Sequence, residues 1–216
     1  MRRITMANHV HYSVNIHQIN DEARAKLKEM FGRIRTDNNY RWFSDIFVEG
    51  DLTYEETEKY AWTTEHIGPK WCYFEDFDAD EKEPFFNGEA AWSAPETGLE
   101  KLLTILTEYD PNIITSICYE DEMPNFIGVS VYEGDEMYDG FEDEYEELRD
   151  RVIASSETLT EESWNEDEDE WVDEDAEDTF RDEMWEVIND SQWELVSECV
   201  DQIKADQAER ESTVGC

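Results

Sequence analysis

His9, His11 and His17 fall on alternate positions of the stretch "HVHYSVNIH". Imidazoles two residues apart on a strand point to the same face, where a pair can share a metal ion. A metal site needs three or four ligands, and no second cluster supplies them at a recognisable spacing. The favoured reading is a histidine set that covers a sheet face, with no metal centre. Asp76, Asp78 and Asp80 stand at the first positions of a calcium loop. That loop needs glycine at its sixth place and a bidentate glutamate at its twelfth. Glu81 and Asn87 occupy those places instead, so the match fails. Carboxylate pairs for general acid and base work occur all along the chain. With so many acids, their pairing carries no information. No nucleophile elbow, phosphate loop or H-E-x-x-H helix is present. No catalytic residue and no cofactor are expected, and the chain reads as a non-enzyme.

Two tryptophans raise the question of a ligand groove. Trp71 lies in "GPKW" and Trp92 in "AAWS". The plainer expectation is that both pack between sheet and helix, where a two-layer fold needs bulk. The alternative function is a small-molecule- or metal-binding domain, even an enzyme, that uses His9, His11, Trp71 and Trp92 on one sheet face.

The 216 residues include 58 Asp and Glu against 17 Lys and Arg, a formal net charge of -41. Disordered acidic chains usually lack aromatic residues. This chain has 8 Trp, 10 Tyr and 10 Phe, enough to build a core. Charge is uneven along it. Residues 1–50 hold 8 basic and 6 acidic residues, 51–140 hold 4 and 23, and 141–216 hold 5 and 29. Such a surface repels nucleic acid and anionic lipid and attracts basic surfaces. Cys72, Cys118, Cys199 and Cys216 form no CxxC pair, so reduced thiols in a cytoplasmic setting are expected. No signal peptide and no membrane span are expected.

The elements that would position these residues follow from periodicity. Val10, Tyr12, Val14 and Ile16 alternate with polar residues, which predicts a half-buried strand. Asn20 caps an amphipathic helix carrying Ala23, Leu27, Met30 and Ile34. Residues 51–70 read as a helix or an insertion. "PKWCYFEDF" and "FFNGEAAWS" read as extended. Ser93 is expected to cap a helix with Leu99, Leu102, Leu103 and Leu106 on its buried face. "NIITSICYE" and "FIGVSVYEG" read as two strands joined by "DEMPN". The order predicts an α+β fold, ferredoxin-like, with an antiparallel sheet and helices on one face. Residues 1–140 would form that domain, and 141–216 an acidic helical extension. A helix is expected from Phe141, a capping box at Thr158 and Glu161, and a long helix striped by Phe180, Met184, Val187, Ile188, Leu195, Cys199 and Ile203. The end from Lys204 onward is expected to fray.

"MANHVHYSVNIH", "IGPKW", "AAWSAPETGLEKLLTIL", "YEDE" and "IGVSVYEG" occur in that order. Together they resemble an uncharacterised ferredoxin-like domain family of phages and plasmids, over roughly residues 7–135. That family is marked by an Asn-containing first strand, a Gly-x-Lys-Trp segment and an Ala-Trp-Ser-x-Pro turn. The resemblance implies the fold and a phage-type origin, with the host cytoplasm as the compartment. It implies no chemistry.

The run "WNEDEDEWVDEDAED" sets Trp164, Trp171 and Val172 among carboxylates. A solvated acidic loop is the plainer reading. Aromatic residues among acids also offer a partner apolar anchors beside steering charge. In the helix that follows, Glu183, Glu186, Asp190, Glu194, Glu198 and Asp201 recur every three or four residues. These carboxylates form a ridge that approximates a track of phosphates. The leading expectation is therefore a nucleic-acid mimic or inhibitor. It would bind a basic, nucleic-acid-binding site on a host protein, with Trp164, Trp171 and Trp185 as anchors, in host takeover or counter-defence. Salt adaptation is the competing source of the acidity. The apolar stripe of the long helix would be buried on its own sheet or on a second copy, as a homodimer.

Overall fold

The computed structural model describes residues 8–35, 40–122, 125–165 and 170–214. Met123 and Pro124 of the expected hairpin loop, Glu166 to Asp169 of the acidic run, and Cys216 lie outside them.

Strand β1 (His9–Gln18) buries Val10, Tyr12, Val14 and Ile16 and turns its histidines the other way. Helix α1 (Asp21–Phe31) follows, and Asn20 Oδ1 accepts from the Ala23 amide at 2.8 Å, the expected cap. A short strand β2 (Arg41–Trp42) runs into a 3-10 turn, Phe43–Phe47. Residues 51–70 hold two short helices, α2 (Tyr54–Thr57) and α3 (Tyr60–His66). Strands β3 (Cys72–Asp78) and β4 (Phe85–Ala91) form a hairpin that contains the failed calcium-loop stretch. Helix α4 (Glu96–Thr107) buries Leu99, Leu102, Leu103 and Leu106 as predicted. Its cap position is Pro95, without a side-chain bond, so Ser93 does not cap it. Strands β5 (Ile114–Asp121) and β6 (Phe126–Glu133) pair as expected.

Beyond β6 the structure departs from the pattern. Residues 141–144, expected to open a helix, end a further strand, β7 (Glu136–Glu144). It pairs with β6 through a two-residue loop, Gly134–Asp135, with Gly134 at φ +66°. Position 140 thus lies inside a strand of the sheet. Helix α5 starts only at Tyr145 and ends at Ser155. The expected capping box at Thr158 is instead made by Thr160 and Ser163. Strands β8 (Trp164–Asn165) and β9 (Glu170–Trp171) form a separate two-stranded ladder. Helix α6 then runs from Glu174 to Val214. Residues 204–214, expected to fray, continue the helix, and Gly215 and Cys216 lie outside the described residues. Buried Gln207 donates to Asn112 O and Glu133 Oε1, and Arg210 pairs with Glu133, so the last turns are tied to the sheet.

The fold is α+β, built on a seven-stranded antiparallel sheet ordered β2-β3-β4-β1-β5-β6-β7. Helices α1 and α4 cover one face, where Tyr12, Phe43, Phe74, Phe86 and the α4 leucines form the main core. Helices do not keep to that face. Strands β5 and β6 turn Ile114, Ile127, Val129 and Val131 to the opposite side, and α5 and α6 pack there. The rest of that opposite face, over β1, β3 and β4, carries polar and aromatic side chains.

Candidate partner-binding site

The buried stripe of α6 explains how its acids are displayed. Phe180, Met184, Ile188, Gln192 and Val196 recur every four residues, followed by Val200, Ile203 and Gln207. Four residues overshoot a 3.6-residue turn by about 40°, so the stripe winds round the helix. Its first half packs against α5 and the Trp164–Trp171 ladder, and its second half against β5 and β6. Gln192 sits where the halves meet. Its side chain is buried, and its amide donates to Gly128 O at 2.9 Å and Tyr119 O at 3.3 Å. The stripe is therefore buried on the chain's own sheet.

The ridge lies on the side of the helix that this packing leaves to solvent. Glu186, Asp190, Glu194, Glu198 and Asp201 are exposed. Glu183, next to Met184, is half-buried, and its Oε2 has no hydrogen-bond partner among the described residues. No lysine or arginine occurs from Asp182 to Ile203. From Glu183 to Asp201 the ridge spans about 27 Å at 1.5 Å per residue. Its steps of three or four residues are about 4.5 to 6 Å.

The three tryptophans expected as anchors are placed differently. Trp164 and Trp171 are directly paired across the small ladder, with ring centroids 5.2 Å apart, edge to face. Trp171 lies 4.8 Å from the Phe180 ring and donates from Nε1 to the Tyr145 hydroxyl at 3.3 Å. The Arg149 guanidinium lies 4.6 Å from the Trp164 ring. Both indoles are thus half-buried in an aromatic knot that fastens the small ladder to α5 and α6. Trp185 is 42% exposed. Trp193, on the same helix, is 71% exposed. Trp193 is not among the anchors expected from the sequence. The sequence carries no signal for its exposure, because the burial of Gln192, which sets the side of the helix that faces the sheet, is not legible there.

Of the residues of the alternative reading, His9, His11 and Trp71 lie on the polar sheet face, and Trp92 follows the end of β4. Trp71 and Trp92 do not pack between sheet and helix. Trp71 stacks on Tyr73, with centroids 5.6 Å apart, and meets the His9 ring edge-on at 5.1 Å. Glu89 joins the group, a residue that sequence spacing did not pick out. Its Oε2 lies 2.7 Å from His9 Nδ1 and accepts from the Tyr73 hydroxyl, and its Oε1 is 3.8 Å from His11 Nδ1. Register could have found it, since His11 faces Glu89 across the β1–β4 ladder. Burial raises the Glu89 carboxyl's pKa, but the bonds from Tyr73 and His9 outweigh it and hold the pKa below the ordinary value. Trp92 is 50% exposed, with φ +75°, a left-handed backbone rare outside glycine. Further along β1, His17 Nε2 lies 2.8 Å from Ser116 Oγ, and Nδ1 is 3.7 Å from Glu83. Burial lowers the His17 pKa, while Glu83 pulls it back up. Among the described residues, no group of three His, Cys, Asp or Glu is arranged to hold a metal. No described helix is long and apolar enough to cross a membrane.

No protein family model matches the chain, and no curated protein or solved structure matches it.

Proposed function

We propose that this is a non-enzymatic, phage-type protein that binds a basic site on a host protein, one that otherwise holds nucleic acid. The observation that carries the reading is the ridge of α6. Its carboxylates stand on a helix fixed to the sheet by a buried stripe, so their spacing is preset rather than averaged over a flexible tail. Pre-organised charge loses less entropy on docking than a disordered acidic segment does. Steps of about 4.5 to 6 Å are looser than the 3.4 Å phosphate rise of one DNA strand, so the mimicry is of a charge track and not of single phosphates. Trp185 supplies an exposed apolar contact beside the ridge. Trp164 and Trp171 act through the knot, which holds the start of α6 in place. We also infer that strands β3-β4-β1-β5, with α1 and α4 crossing on one face, are a ferredoxin-like core to which β2, β6 and β7 add edges. The order of those four strands supports this, as does the placing of their two helices.

The test is capture from host lysate by the immobilised full chain, followed by elution with duplex DNA. Nucleic-acid-binding proteins should be retained and then displaced by the DNA. Glu186→Gln, Asp190→Asn, Glu194→Gln and Glu198→Gln, combined in one folded variant, should abolish the capture. Retention unaffected by the four changes, or no DNA-displaceable protein at low and moderate salt, overturns the proposal.

A further inference from the structure

Between α6 and the open half of the polar sheet face lies a groove of about 700 Å³. Its floor is the outward side of β1, β4 and β5, and the segment Asn189–Val196 of α6 forms one wall. The volume falls within the roughly 300–1,000 Å³ typical of small-molecule sites. Four carboxylates line it, those of Glu75, Glu83, Glu120 and Asp190; no lysine or arginine is among the described lining residues, and Lys204 stands near His17 at one end. Glu120 is the most telling of them. It is half-buried in the floor, and its side-chain carboxylate makes no hydrogen bond among the described residues. Burial raises its pKa, and the nearby His11 opposes the shift. A carboxylate set into a surface without a donor is stabilised by a cation arriving from outside. At the lip stands Trp193, whose exposed indole lines the groove and offers a π face to such a cation.

The shape of the groove narrows the ligand. Glu120 lies near His11, at one end of the β1 floor, and Glu83 lies near His17, at the other. Six residues of strand separate those histidines, about 20 Å at 3.3 Å per residue. Negative charge is therefore spread along a trough, not gathered at a point. A linear chain with ammonium groups at intervals fits this layout, with its methylenes against Cys118, Val196 and Trp193. A divalent metal ion does not. We infer that the groove binds an aliphatic polyamine. The inference does not rest on the role proposed for the ridge; the two surfaces share Asp190, and Glu120 and Trp193 belong to the groove alone.

Calorimetric titration of the full chain with spermine tests it, at about 0.15 M salt, where loose counter-ion attraction is screened beyond roughly 8 Å. One stoichiometric site is expected, with a change in tryptophan fluorescence that Trp193→Ala removes. Glu120→Gln with Asp190→Asn should weaken the site by about tenfold or more. Glu198→Gln, which removes charge from the ridge outside the groove, should leave it unchanged. Magnesium at equal charge should not compete. Many weak sites, equal losses in the groove and ridge variants, or full displacement by magnesium would mean charge condensation alone, and would overturn the inference. Trp193→Ala, on an exposed position, serves as the decisive variant should the floor substitutions impair folding.

Discussion

Asp45 is fully buried, and Arg35 holds it from two sides. The guanidinium reaches Asp45 through Nε at 3.1 Å and through its terminal nitrogen at 2.9 Å, and the Arg35 amide adds a third bond at 3.1 Å. Removing one partner of a buried pair leaves an uncompensated charge, at a cost of about 3–5 kcal/mol. Arg35→Met should lose that much in chemical denaturation, and Arg35→Met with Asp45→Leu should regain most of it. Equal losses in the single and double variants would show that packing, not charge, is at stake. His17 makes a separate prediction. Its pKa is depressed chiefly by burial, so the unfolded chain takes up a proton first as pH falls. Stability from this group is complete above the unfolded value of about 6.5 and declines as pH drops from there toward the folded value. The stability difference between the native chain and His17→Gln should therefore shrink as pH drops below about 6.5. A difference that stays level across that range would refute the assignment. Neither Asp45 nor His17's partner Ser116 was legible beforehand. Their partners lie 10 and 99 residues away, and spacing in sequence carries no trace of such pairings.

At the scale of elements, β1, α1, α4, β5 and β6 were legible because each carries a full apolar face at its own period. Strand β7 was not. Its residues Glu136 to Gly140 are exposed, and "EMYDGFEDE" has no alternating apolar face. An edge strand of this kind is specified by its neighbour's ladder, not by its own sequence. The one local signal was the Gly-Asp pair at 134–135, a two-residue hairpin turn between extended runs. The stripe of α6 was legible in outline, but its polar members were not. Gln192 reads as a surface residue, and only the carbonyls of Tyr119 and Gly128 explain its burial. Gln192→Ala should cost about 1–3 kcal/mol, because it removes the donor from two buried carbonyls. The loss should appear as faster amide exchange over the middle of α6. Exchange in the native chain should be slow from Met184 to Ile203, where the buried stripe lies. Unprotected amides throughout that span would remove the rigid scaffold on which the ridge depends.

For the whole molecule, a charge of -41 should act on folding and on the proposed binding with opposite salt dependence. Within the folded chain the acids repel one another across a surface with few counter-charges. Added salt screens that repulsion, so the melting temperature should rise between about 0.02 and 0.5 M sodium chloride. Screening by itself does not depend on which monovalent cation is present. Tetramethylammonium should therefore protect as well as sodium does. A requirement for potassium or sodium in particular would instead point to salt adaptation through specific ion sites. Docking on a basic surface depends on the same field with the other sign. Salt that steadies the free protein should slow its capture, because steering acts over the Debye length, which shrinks from about 30 Å at 0.01 M to 10 Å at 0.1 M. Association measured by rapid mixing should slow steeply with salt while dissociation changes less. Replacing the four ridge carboxylates from Glu186 to Glu198 with amides should flatten that slope, although most of the net charge remains. If the slope stayed the same without them, the diffuse charge of the whole surface would be steering the encounter, and the ordered track on α6 would not.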